Sequence, residues 1–139
     1  MKYRDTIMVV DDDPDSRETL AWLLDQSGYL VEVVGDGALA LSRLERRLPD
    51  LLVTDLEMPG MSGLDLIRKV HARYPSLPVI LVTGGETRGL CTGADRYGVA
   101  ECLTKPVSPE GLLWSIERTL ACRRVTTRSV PSRLTPPPL

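Results

Sequence analysis

The stretch Leu51-Leu52-Val53-Thr54-Asp55-Leu56-Glu57-Met58-Pro59-Gly60 runs from a short apolar segment into an acid and then a Pro-Gly turn. Four residues of this kind, bounded by turn residues, read as a buried strand. An aspartate at the carboxyl end of such a strand stands where open α/β sheets hold their ligands. The same arrangement recurs on either side. Ile7-Met8-Val9-Val10 leads into Asp11-Asp12-Asp13, and Glu101-Cys102-Leu103-Thr104 leads into Lys105-Pro106.

Working outward, five apolar runs predict strands over Thr6–Val10, Leu30–Val34, Leu51–Thr54, Pro78–Val82 and Ala100–Leu103. Most are apolar nearly throughout, as in strands covered by helices on both faces. Helical patterns alternate with them. Asp13-Pro14 is an N-cap followed by proline at the first helical position, and Gly28 ends that helix. Leu20, Leu23, Leu24 and Ser27 share one face. The second helix opens near Asp36 and ends before Pro49, burying Leu39, Leu41 or Ala40, and Leu44. The third spans about Gly63 to Tyr74 with Leu64, Ile67 and His71 in line. A fourth, around Glu86–Tyr97, is weakened by Gly89 and Gly93. The fifth covers about Ser108–Cys122, with Leu112, Leu113, Ile116 and Leu120 inward. A strict βα alternation predicts a doubly wound α/β fold with a parallel sheet.

Composition sets limits. The 139 residues suit one domain, and 42% hydrophobic content supports a core. Aromatics make up 4% and phenylalanine is absent, so that core is aliphatic. No apolar run approaches a membrane span and no secretory leader is evident, which points to a cytoplasmic protein without membrane insertion. Cys91, Cys102 and Cys122 are odd in number and widely spaced, indicating neither a disulfide frame nor a zinc site. The 19 acids all precede Arg123, against 13 basic residues in the same stretch, so the body is acidic. That argues against nucleic acid as its own ligand. Residues 123–139 carry four arginines, no acid and several prolines, and read as a disordered basic tail.

The strand-end residues form one chemical set. Asp11, Asp12 and Asp55 repel one another unless compensated. A hard divalent cation such as Mg²⁺ meets that need through oxygen ligands. Together with Lys105 and the hydroxyl of Thr83, they suit a metal-assisted phosphoryl site with Asp55 as nucleophile. Three rivals fit less well. Asp11, Asp13 and Asp15 start like a calcium loop, but Ser16 and Trp22 stand where its glycine and glutamate belong. Gly35-Asp36-Gly37-Ala38-Leu39-Ala40 formally matches a dinucleotide fingerprint, with Asp55 as its distal acid, but follows the second strand rather than the first. An aspartyl-phosphate phosphatase would require Glu57 as its second acid, with no cap domain available.

Val9-Val10-Asp11-Asp12-Asp13, Val53-Thr54-Asp55 through Gly63, Val82-Thr83-Gly84 and Thr104-Lys105-Pro106 together resemble the receiver domain of two-component response regulators, over about residues 5–122. The resemblance implies a flavodoxin-like (βα)5 three-layer sandwich with strand order 2-1-3-4-5, a receiver over residues 1–122 and the tail over 123–139. It implies Asp55 as phospho-acceptor. Mg²⁺ would be held by the side chains of Asp12 and Asp55, by the backbone carbonyl of Glu57, and by Asp11 through water. Thr83 would be the switch hydroxyl, Lys105 the phosphate partner, and the Lys105-Pro106 bond cis. The domain would be a signalling module rather than an enzyme, aiding its own phosphorylation and dephosphorylation. Its partners would be a sensor histidine kinase or phosphotransfer protein and a downstream protein target, with self-association left open.

The position that carries a switch aromatic in many members is Cys102 here. The switch is therefore expected in the glycine-rich Thr83–Gly93 segment. A stand-alone receiver is one expectation, and a piece of a longer regulator with 123–139 as the start of a linker is the other. The lone His71 is remote from the acids, and Trp22 and Trp114 lie off their helices' apolar stripes, where a partner contact is the sharper option.

Overall fold

The computed structural model describes residues 4–84 and 98–129, with side chains through Arg123. Five strands, β1 (Thr6–Val10), β2 (Leu30–Val34), β3 (Leu51–Asp55), β4 (Val79–Thr83) and β5 (Val99–Thr104), form one parallel sheet in the order β2-β1-β3-β4-β5. The described helices are α1 (Pro14–Gln26), α2 (Gly37–Arg46), α3 (Gly63–Arg73) and α4 (Pro109–Ser129). The helix expected around Glu86–Tyr97 and the expected switch segment beyond Gly84 lie outside the described residues.

Strand alternation sorts the core into two layers. Met8, Val10, Leu52 and Leu81 face Ala40 and Leu44 of α2 and Leu66, Ile67 and Val70 of α3. Ile7, Val9, Leu51, Val53 and Ile80 face Leu24 of α1 and Leu112, Ile116 and Leu120 of α4. The fold is therefore the three-layer, flavodoxin-like sandwich expected.

Local signals explain the helix ends. The Asp36 carboxylate accepts the Leu39 N–H at 2.7 Å and starts α2. Ser62 Oγ accepts the Asp65 N–H at 3.2 Å and starts α3. Gly28, at φ +97°, ends α1 by taking the left-handed conformation that glycine adopts without cost. Asp13 occupies the cap position of α1, but its carboxylate accepts from Ser16 Oγ at 2.9 Å and caps no backbone N–H.

Several sequence expectations need correction. The central strands β1, β3 and β4 are buried almost throughout, but β2 and β5 are sheet edges and are partly exposed. On α2, Ala40 and Leu44 are buried as expected, joined by Gly37, but Leu39 is exposed. On α3 the buried face is Leu66, Ile67 and Val70, while His71 is exposed. On α1, Leu24 is buried with Leu20 and Leu23 packed against the same cluster, but Ser27 is exposed. These helices lie across the sheet at an angle that period alone does not set.

Two corrections concern the end of the chain and the cysteines. Helix α4 continues to Ser129, seven residues past the Cys122 boundary, so the tail does not begin at Arg123. The Arg123 guanidinium donates to the Asp50 carbonyl at 2.6 Å and to its carboxylate at 3.3 Å, tying this extension to the start of β3. Cys102 is disulfide-bonded, while Cys122 is free and exposed. Sequence spacing carries no information on whether two sulfurs meet, since that depends on Cα positions a few ångströms apart in the fold.

Candidate functional site

Strand register brings the strand-end residues together. Val10 pairs with Thr54, so Asp11 and Asp55 each follow at the same level. Asp55 pairs with Val82, which sets Thr83 one step further along β4. Thr83 pairs with Thr104, which sets Lys105 one step beyond β5. The site thus lies at the carboxyl ends of β1, β3, β4 and β5. It includes the β1/β3 boundary, where the strand order reverses and the flanking connections diverge.

Asp55 is buried, with 8% of its surface exposed. One carboxylate oxygen accepts the N–H of Leu56 at 3.0 Å, and the other accepts from Lys105 Nζ at 3.1 Å. Asp11 is buried and Asp12 exposed. Carboxylate oxygens of Asp11, Asp12 and Asp55 all lie within 4.8 Å of one another, close enough for one cation to share. Oxygen-only donors of this charge suit Mg²⁺. The side chain of Glu57 is exposed. Thr83 is fully buried, and its hydroxyl donates to the Gly84 carbonyl at 3.1 Å. The Lys105–Pro106 bond is cis. A cleft of about 730 Å³ opens beside the acids, between Ser16 and Thr19 of α1 and Val107 and Leu112 near the start of α4.

The electrostatics follow from this crowding. Burial raises the Asp11 carboxyl above its ordinary value. The Asp13 N–H, donated to it at 3.0 Å, and Lys105 work against that, while the charges of Asp55 and Asp12 add to it. Burial alone pulls Lys105 down, but its hydrogen bond to Asp55 and the surrounding carboxylates outweigh that and raise it. Lys105 therefore remains an ammonium throughout the neutral range.

Sequence reasoning did not find Gly63. A Cβ at this position would lie 2.1 Å from the Asp55 carbonyl oxygen and 2.7 Å from Leu56 Cα. Its own N–H donates to the Leu56 carbonyl at 2.7 Å. Helix α3 thus starts against the backbone that carries Asp55, an approach only glycine permits. The available signal was the Gly60-Met61-Ser62-Gly63 run, with its turn glycine (φ +79° at Gly60) and its Ser62 cap. Nor does the Gly35-x-Gly37 pattern cradle a ligand. A Cβ on Gly35 would meet Arg17 Nη1, and one on Gly37 would meet Met61 Sδ.

Comparison with known proteins agrees with this geometry. Residues 7–117 match the family described as the response regulator receiver domain, and the chain belongs to that family. It is 35% identical over 127 residues to the probable transcriptional regulatory protein TcrX of Mycobacterium tuberculosis, covering 88% of this chain and 52% of TcrX. It is 41% identical over 114 residues to an uncharacterized 14.6 kDa protein of Leptolyngbya boryana, covering 81% of this chain and 87% of that one. The crystal structure of a response regulator receiver domain protein from Clostridium thermocellum superimposes with a TM-score of 0.84 at 26% identity, covering 88% of this chain and 98% of that one. The chain spans about half or less of the first two transcriptional regulators it matches. Receiver domains are signalling modules rather than classical enzymes. No helix among the described residues is long and apolar enough to cross a membrane.

Proposed function

We propose that this chain is a phospho-accepting receiver module of a histidine-kinase phosphorelay, with Asp55 as the acceptor. The observation that carries this reading is the buried Asp55 carboxylate, 3.1 Å from Lys105 Nζ and sharing a 4.8 Å cluster with the carboxylates of Asp11 and Asp12. An oxygen of Asp55 attacks the phosphorus of a phosphohistidine. The new P–O bond forms as the P–N bond breaks, and the departing imidazole nitrogen keeps the electron pair and takes a proton from solvent. Lys105 gives up its contact with Asp55 to meet an oxygen of the incoming group, where its charge counts most in a partly buried setting. The Thr83 hydroxyl turns from the Gly84 carbonyl to another of those oxygens.

Mg²⁺, when bound, offsets negative charge on the transferring oxygens. Asp12 and Asp55 would hold it by side chain, Glu57 by its carbonyl and Asp11 through water. The product is about one charge more negative than the free carboxylate, which biases the surface around Thr83 and Gly84.

The phosphoryl donor is a sensor histidine kinase or a phosphotransfer protein. The acidic body supports a protein rather than nucleic acid as the receiver's own target, and the names of the longer relatives fit a transcriptional output elsewhere in such systems. A cytoplasmic location goes with this reading. The test is incubation of the chain with Mg²⁺ and acetyl phosphate, followed by intact-mass and peptide analysis. One phosphoryl group should appear at Asp55 and be absent from Asp55→Asn. Equal labelling of that variant removes the proposal.

A further inference from the structure

The glycine pattern after β2 and the arginine of α1 are not used by the chemistry above, yet they meet at its edge. Arg17 Nη1 donates to the main-chain carbonyl of Asp11 at 3.0 Å. The same guanidinium nitrogen would lie 2.6 Å from a Cβ on Gly35, so it occupies the slot that a missing side chain leaves. Asp11 is tied to the same connection from its other side, its N–H donating to the Val34 carbonyl at 3.1 Å. The Asp11 carboxylate then accepts the N–H of Asp13 at 3.0 Å, and the Asp13 carbonyl accepts the Arg17 N–H at 3.0 Å. The loop bearing Asp11, Asp12 and Asp13 is thereby closed between β2 and α1.

We infer that Arg17, seated over Gly35, is a positioning residue that holds the Asp11–Asp13 loop in the geometry the acidic cluster needs for a divalent cation. The inference rests on the receiver reading of that cluster. Arg17 touches no carboxylate of the cluster, so it acts through the backbone of Asp11. The sign of its effect distinguishes positioning from simple charge. A cation beside an acidic pocket repels a second cation, so if Arg17 acted only as a charge, its removal would tighten Mg²⁺ binding. If it holds the loop, removal weakens binding, because the carboxylates must then be ordered when the ion arrives.

Gly35 supplies an independent handle. A methyl group there meets only the mobile end of an arginine, so Gly35→Ala should displace the guanidinium with little loss of fold.

The experiment is Mg²⁺ titration of the metal-free chain by calorimetry, with amide hydrogen exchange of the same samples before metal is added. Arg17→Met and Gly35→Ala should each weaken Mg²⁺ binding about tenfold, the order of one hydrogen bond from a charged donor. Arg17→Lys, which keeps one donor, should recover part of it. The double variant should lose no more than either single one, since both break the same contact. Exchange at the Asp13 amide should speed up in both variants without metal. Unchanged or tighter Mg²⁺ binding in Arg17→Met, with Asp13 exchange unaltered, overturns the inference. Should Arg17→Met not fold, Gly35→Ala decides alone. Should the unaltered chain bind no Mg²⁺, the receiver reading fails, and the Asp13 exchange still decides whether Arg17 holds the loop.

Discussion

Asp11 is a buried member of the acidic cluster. Burial, with the neighbouring charges of Asp55 and Asp12, makes the folded protein hold the Asp11 proton more tightly than the unfolded chain does, despite the opposing Asp13 N–H and Lys105. Its contribution to stability is complete below about pH 4, where the unfolded aspartate also keeps its proton, and is lost as pH rises through the raised folded value. Once ionised, Asp11 therefore destabilises the metal-free domain relative to its protonated form. Asp11→Asn should raise its melting temperature at pH 7, with the gain shrinking as pH falls toward 4. Adding Mg²⁺ should favour the unaltered chain instead. Thermal scans across this range that show no pH-dependent difference would sink the assignment. Lys105 carries the opposite expectation. Raised by its contact with Asp55, it keeps its charge until well into the alkaline range. Lys105→Ala should still bind Mg²⁺ but accept phosphate slowly, and phosphorylation rates between pH 6 and 9 should show no lysine ionisation. Equal rates for Lys105→Ala and the unaltered chain would remove Lys105 from the site.

At the scale of elements, the join between β3 and α3 is the tightest feature near the acids. Gly63→Ala drives a methyl group into the Asp55 carbonyl, a backbone atom that cannot swing aside. Overpacking of this kind costs about 1–3 kcal/mol, and the shift falls on the residue that would carry phosphate. Urea unfolding should show the loss, and acetyl phosphate labelling should slow with it. Asp36→Ala gives the contrast. It removes the α2 cap, worth about 1 kcal/mol, but should leave labelling nearly unchanged. Comparable labelling defects in both variants would mean that Gly63 has no special link to Asp55. The helix starts near Asp36 and Ser108 and the glycine stop at Gly28 were legible in sequence because each signal acts within a few residues of itself. Gly63 was not, because its reason lies across a chain reversal, in a carbonyl eight residues earlier. The buried faces of α2 and α3 were misjudged for a related reason: periodicity identifies a stripe but not the angle at which the sheet meets it.

For the whole molecule, Asp50 acts as a junction at the end of the sheet remote from the site. Its N–H donates to the Thr6 carbonyl at 2.8 Å, and its carboxylate accepts the Thr6 N–H at 2.8 Å. Its carbonyl and carboxylate both receive Arg123. The start of β1, the start of β3 and the last part of α4 are thus joined at one residue. A chain ending at Cys122 should be less stable in urea than one ending at Ser129 by about 1 kcal/mol, a charged hydrogen bond discounted for its partial exposure. Equal midpoints for the two lengths would show that the extension of α4 adds nothing to the fold.

The sequence by itself determined the α/β class, the five strands to within about a residue at each end, and that Asp11, Asp12, Asp55, Thr83 and Lys105 stand at or next to strand ends. Apolar runs, caps and strand-end residues are local signals, and four motifs in one order leave little room for another fold. Only the tertiary structure decided which strands are edges, which faces of α2 and α3 are buried, that Cys102 is disulfide-bonded, and that Arg123 belongs to the folded body. It also decided that Gly35 makes room for Arg17 and Gly63 for the Asp55 carbonyl. Each of these depends on atoms far apart in the chain meeting within a few ångströms, a matter of packing that neither composition nor periodicity encodes.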